Sequence, residues 1–163
     1  MVPEQTFVQS LAQHVITRLA ARGLTLAGAE SLTGGKLADS LVTVPGASHV
    51  FLGAVVSYSE SAKVAALGVS PDSLRSFTAV SAQVAEEMAR GAAALFGADI
   101  AVATTGEAGP ASATGQPVGT VYWAVLLAGK PPLISHDVFP GTRSDIRLAS
   151  VAAALESVLR LVP

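Results

Sequence analysis

The stretch Gly28–Lys36, GAESLTGGK, constrains this chain more than any other. The apolar run Leu24–Ala29 that leads into it reads as a strand. The spacing of Leu37, Leu41 and Val44 beyond it reads as a helix. A strand passing through a Gly-rich turn into a helix leaves unpaired backbone N–H groups at the turn. The first-turn dipole there adds about 0.3–1 kcal/mol for an anion. Ser31 and Thr33 place two hydroxyls at the same spot, while Gly34 and Gly35 let a ligand approach the backbone. On these residues alone two readings are open: an ordinary turn whose Ser and Thr cap the helix, or a seat of chemistry. Phosphate-loop patterns do not decide it. A Walker A loop would need Gly where Glu30 stands and Ser or Thr where Leu37 stands, and no Gly-x-Gly-x-x-Gly is present.

The pattern continues along the chain. Val8, Leu11, Val15 and Leu19 predict a helix over 5–21, and helix 33–43 follows the first strand. Val44-Pro45-Gly46-Ala47-Ser48 is a turn, 50–57 a strand, and a short helix ends near Leu67. A loop with one helical turn after Pro71 leads to a helix over 82–96, capped by Ser81 and ended by Gly97. DIAVATT (99–105) is a buried strand, 118–127 and 133–139 are two more, and a last helix runs from Thr142 or Ser144 to about Leu161. This order, with a late hairpin, predicts one domain over 1–163: an α/β fold, a three-layer α/β/α sandwich with a mixed sheet.

Composition narrows the partners. Half the residues are hydrophobic and 13% are charged, against roughly 25% charged in ordinary soluble domains. No apolar run reaches the roughly 20 residues of a membrane span, so the excess points to surface buried against another copy, a homo-oligomer. A net charge of −2 without a Lys/Arg cluster argues against nucleic acid. The Met1-Val2-Pro3-Glu4-Gln5 start lacks the basic and apolar regions of a signal peptide, so a cytoplasmic location is expected. There is no Cys, and His14, His49 and His136 are scattered, so no metal site or cofactor is expected.

Ligands of open α/β sheets sit beyond strand ends. Three such ends are rich in hydroxyls or Gly: Ser31 to Gly35, then Tyr58 and Lys63, then Thr105, Gly106 and Gly109. With no His near Ser31, a Lys is the candidate base. An ordinary Lys is only about 0.04% neutral at pH 7, so burial must lower its pKa by roughly 2–3 units. Lys63 reads either as that base, buried behind its strand, or as a solvated helix Lys paired with Glu60.

Taken together, AESLTGGKLADSL, VPGASHVFLGAVVSYSESAKVAALGV, AVSAQVAEEMARGA, TTGEAGP, PVGTVYWAV and FPGTR resemble the C-terminal domain of competence-damage-inducible protein CinA. That family includes the stand-alone nicotinamide-nucleotide amidases (PncC type). The resemblance spans roughly residues 6–161 and leaves out the nucleotide-hydrolysing N-terminal domain of full-length CinA. It implies metal-independent hydrolysis of the carboxamide of nicotinamide mononucleotide, a small-molecule nucleotide, to nicotinate mononucleotide and ammonia. By the same resemblance Ser31 is the nucleophile, Lys63 its base, and Tyr58 part of the site. Thr33, Gly34 and Gly35 would supply an oxyanion hole or phosphate contacts, Thr105 and Gly106 would line the pocket, and Ser48 would bind substrate. Arg143 reads as a phosphate or carboxylate ligand, or as a surface Arg paired with Asp145 or Glu156. Two departures stand out: Leu32 where the family commonly has Cys, and TTGEAGPASA where it usually reads TGIAGPGGG. The second places Glu107 beside the expected pocket, where it would repel a phosphate unless it faced away or paired with a cation.

Overall fold

The structure, a computed structural model, describes residues 3–162. Met1 and Val2, the first two residues of the expected leaderless start, lie outside them, as does Pro163.

Five strands form one mixed sheet: β1 (Leu26–Glu30), β2 (Phe51–Val56), β3 (Ile100–Gly106), β4 (Thr120–Leu127) and β5 (Leu133–Val138). Their order is β2-β1-β3-β4-β5, with β1 parallel to both neighbours and β3, β4 and β5 antiparallel in succession. Successive side chains leave a strand on opposite faces, and the two faces here differ in size. Leu26, Ile100, Val102 and Val125 meet helices α1 (Gln5–Arg22), α2 (Lys36–Val42) and α6 (Arg143–Leu161) in one core. Ala27, Ala29, Ala101, Ala103 and Ala124 face the other core. That core holds α3 (Glu60–Leu67), α4 (Pro71–Phe77) and α5 (Ala82–Phe96). The small residues let this helical layer come close. Gly91 of α5 lies against α3 so tightly that a Cβ there would fall 2.0 Å from the Leu67 carbonyl oxygen. The three-layer α/β/α arrangement expected from the element order is the one observed.

Two elements depart most from the sequence reading. Helix α2 begins at Lys36 rather than 33, because Gly34 (φ +56°) and Gly35 (φ +93°) hold left-handed conformations that no helix continues. Helix α4 is seven residues long where a single turn was expected. Ser70 caps it, and Glu87 of α5 accepts from Ser70 N and Ser73 Oγ, a support invisible in local sequence. Ser81 caps α5 as expected, and of the two starts open for α6 the structure takes Thr142 as the cap.

Strand β1 sits between β2 and β3; the connection from β1 to β2 carries α2 on one face of the sheet, and that from β2 to β3 carries α3, α4 and α5 on the other. Such a switch point opens a crevice at the strands' C-terminal ends. Ser31 stands there.

Candidate active site

The turn after β1 is built around Glu30, which is fully buried. Its Oε2 accepts from Gly35 N (3.0 Å) and Leu37 N (3.1 Å), and its Oε1 accepts from Ala38 N (2.9 Å). The chain therefore fills the N-terminus of α2 with its own carboxylate. Gly34 N donates to Ser31 O (3.1 Å), and the Thr33 and Thr104 hydroxyls share a buried bond of 2.8 Å. Of the Thr33–Gly35 backbone expected to supply oxyanion or phosphate contacts, two N–H groups are turned inward. The Gly34 and Gly35 donors are already used, because a turn tight enough to reverse the chain satisfies them internally.

Arg147 of α6 donates to the same turn, through Nε to Leu32 O (2.9 Å) and through Nη2 to Thr33 O (2.7 Å). Two carbonyls of the turn are held in one guanidinium fork. Ser31 N donates to Thr104 O (3.0 Å), continuing the β1–β3 ladder one step past the strand end. Ser31 is pinned from both sides.

Lys63 meets it from α3. Ser59 caps this helix by accepting from Ala62 N, so α3 starts directly behind β2 and Lys63 lies within its first turns. The side chain is 1% exposed, and Nζ donates to Ser31 Oγ (2.9 Å) and to Ser57 O (2.7 Å). Burial lowers its pKa from 10.5 to about 8, against an opposing pull from Glu60. At that value about one Lys63 in ten is neutral at pH 7. Ser57 O can only accept, so a neutral amine keeps one N–H on it and turns its lone pair to the Ser31 hydroxyl. The solvated-Lys alternative is excluded by the burial.

Ser31 and Lys63 open into a cleft of about 390 Å³, lined also by Tyr58, Thr105, Gly106, Glu107 and Arg143. Thr105 Oγ1 donates to Ala79 O (2.6 Å). Arg143 donates to Gly109 O (2.5 Å) and Tyr58 Oη (2.6 Å), tying the end of β2 to the loop after β3. Asp145 is not its partner. That carboxylate accepts from Thr142 N and Oγ1 in the capping box of α6.

Thr33, Gly34 and Gly35 do not line the cleft, and Ser48 lies farther off. It precedes β2 whereas Tyr58 follows it, so the two lie at opposite ends of that strand. Ser48 lines a separate recess with Val42, Phe51 and Leu52. Glu30 and Arg147 were missed in the sequence. Glu30 lies five residues before Gly35, outside the window of an ordinary helix cap. Arg147 had a signal, standing four residues after Arg143 and hence on the same face of one helix.

Fold and site define a class: an α/β protein with a buried Ser–Lys pair at the switch point of a mixed sheet. Residues 8–162 match the profile of the CinA C-terminal domain, and the chain belongs to that family. It is 46% identical over 154 residues to a candidate competence-damage inducible protein of Caldicellulosiruptor saccharolyticus, covering 93% of this chain and 37% of that protein. A CinA-like protein of Myxococcus xanthus is 43% identical over 149 residues, with 91% and 35% covered. The chain thus spans about a third of the length of these curated relatives. Among solved structures, the competence/damage inducible protein CihA of Agrobacterium tumefaciens superposes with a TM-score of 0.92 at 38% identity, over 99% of this chain and 98% of that one. A CinA-superfamily protein of Escherichia coli gives 0.92 at 34% identity, over 99% and 94%. Among the described residues no helix is long and apolar enough to cross a membrane.

Proposed function

We propose that this chain is an amidohydrolase acting on the carboxamide of nicotinamide mononucleotide, with Ser31 as nucleophile and Lys63 as base. The observation that carries the reading is the 2.9 Å contact between Lys63 Nζ and Ser31 Oγ, both buried and both lining one cleft. Ser31 Oγ attacks the carboxamide carbon as its proton passes to Lys63 Nζ. Collapse of the tetrahedral intermediate expels ammonia, the leaving nitrogen taking up one proton. Water then hydrolyses the ester, regenerating Ser31 and releasing nicotinate mononucleotide. Arg147 and Glu30 act on this chemistry only through the turn they hold.

Ammonia release from nicotinamide mononucleotide, measured beside Ser31→Ala and Lys63→Ala, tests it. Loss of roughly 10³-fold or more is expected in each variant, since two groups acting as a unit fail together. A second reading is a nucleotide-binding or regulatory module without efficient turnover. The internal use of the Gly34 and Gly35 donors favours it, since they supply no oxyanion contact. Binding by the folded wild type without turnover would decide for the module.

A further inference from the structure

We propose that Glu107 is the specificity residue of the cleft, and that its carboxylate selects ligands carrying a positively charged ring. Glu107 directly follows β3, is 6% exposed and lines the cleft. Its Oε1 is fully engaged, accepting from Ala113 N (3.0 Å), Thr114 N (2.7 Å), Thr114 Oγ1 (2.8 Å) and, more weakly, Ser112 Oγ (3.4 Å). These bonds fold the loop after β3 over the cleft, where Ala111, Ala113 and Thr114 form its rim.

The other oxygen is different. Among the described residues nothing donates to Oε2, and no Lys or Arg forms an ion pair with the carboxylate. Nor is Oε2 sealed. Among the described residues the fully buried side-chain atoms without a partner are Ser57 Oγ and Thr120 Oγ1. One oxygen is therefore braced by the loop, while the other keeps solvent contact on a residue that lines the cleft. Burial raises the carboxyl pKa, but the bonds from Thr114, Ala113 and Ser112 outweigh this and hold it below the ordinary range. The group is an anion at neutral pH.

Arg143 lines the same cleft with the opposite charge. Glu60 and Lys63 line it as well, so the cleft carries both carboxylates and cations and fits a ligand that is itself dipolar, with a cationic ring and an anionic phosphate. A pyridinium mononucleotide is such a molecule. The choice of ligand rests on the amidase reading, whereas the preference for positive charge rests on Glu107 and not on that reading.

Calorimetric titration of the full chain carrying Ser31→Ala, which halts turnover, tests the preference. The ligands are nicotinamide mononucleotide and its dihydropyridine form, whose ring is neutral. Glu107→Gln keeps an acceptor for the loop and removes the charge. It is expected to weaken the cationic nucleotide about tenfold and the neutral one less than about twofold. Thr114→Val loosens the loop and keeps the charge, and is expected to weaken both alike. Equal losses for the two rings in Glu107→Gln overturn the proposal, as does no loss. Loss of ring selectivity in Thr114→Val overturns it too. A second pair of probes, 1-methylnicotinamide and neutral nicotinamide, separates this proposal from the amidase reading. If neither nucleotide binds but the cation preference persists and vanishes in Glu107→Gln, the amidase reading falls and the charge preference stands. Turnover without any ring preference leaves the reverse.

Discussion

Two carboxylates stand at the ends of neighbouring parallel strands, Glu30 closing β1 and Glu107 just past β3. Both gather backbone N–H groups from the chain immediately C-terminal to them. Glu30 uses both oxygens, on Gly35, Leu37 and Ala38, and is 0% exposed. Glu107 uses one, on the 112–114 loop, and is 6% exposed at the cleft wall. The same device thus serves a closed brace in one place and a half-open one in the other. The cause of the difference is the element each strand leads into. Strand β1 leads into a helix, whose unpaired N–H groups point along one axis and surround a carboxylate. Strand β3 leads into an irregular loop, whose donors approach from one side.

The largest expected effect breaks the closed brace. Glu30→Ala strands three buried or half-buried N–H groups and leaves a cavity under Ser31, so a loss of about 3 kcal/mol or more is expected. Chemical denaturation would measure it, and a loss below about 1 kcal/mol would show that water replaces the carboxylate without cost. Next comes Arg147, which holds the other side of the same turn. Arg147→Ala is expected to lower kcat about 10–100-fold with little change in KM, because it misplaces Ser31 without touching the ligand. Arg147→Lys is not expected to rescue it, since one ammonium cannot span two carbonyls as the fork does. Recovery in the Lys variant would mean that charge, not geometry, is what α6 contributes.

On the amidase reading, Lys63 sets the pH dependence. As its pKa is lowered to about 8, kcat/KM is expected to rise with pH through about 8 and then level as the amine becomes neutral. The sign for stability is the same. Between the folded value of about 8 and the unfolded value of 10.5 the unfolded chain binds more protons, so stability grows with pH across that window. Below about pH 8 the buried ammonium costs roughly 3 kcal/mol relative to an exposed one. Lys63→Met is therefore expected to abolish hydrolysis and to raise the unfolding midpoint at pH 7. A flat pH profile would remove Lys63 from the role of base.

The smallest effect sharpens the comparison. Glu107→Gln is expected to cost under about 1 kcal/mol of stability, because its amide oxygen still accepts from the loop. Glu30→Gln is expected to cost more, since an amide presents only one acceptor where both oxygens are used. Equal costs at the two positions would erase the distinction between closed and half-open brace.

Much of this was legible in the sequence, and for local reasons. The period of apolar residues along α1 and α5, the caps at Ser81 and Thr142, and the runs of β1 and β3 are all set by near neighbours in the chain. That three strand ends carry hydroxyl- or Gly-rich turns was also visible, and parallel pairing brings those ends together. The extent of α4 was not, since Glu87 supports it from another helix.

The sequence by itself determined the layers, the mixed sheet and the candidacy of Ser31. Hydrophobic period and turn chemistry are properties of short stretches. Only the tertiary structure decided which charged groups act on the cleft. It buried Lys63 against Ser57 and Ser31, committed Glu30 to the helix end, and set Arg147 against the turn. It also left Ser48 at the far end of β2. The strength and effect of a charge depend on the solvent it loses and the dipoles it gains. Both are supplied by residues far away in the chain, here 32 positions between Ser31 and Lys63 and 115 between Leu32 and Arg147.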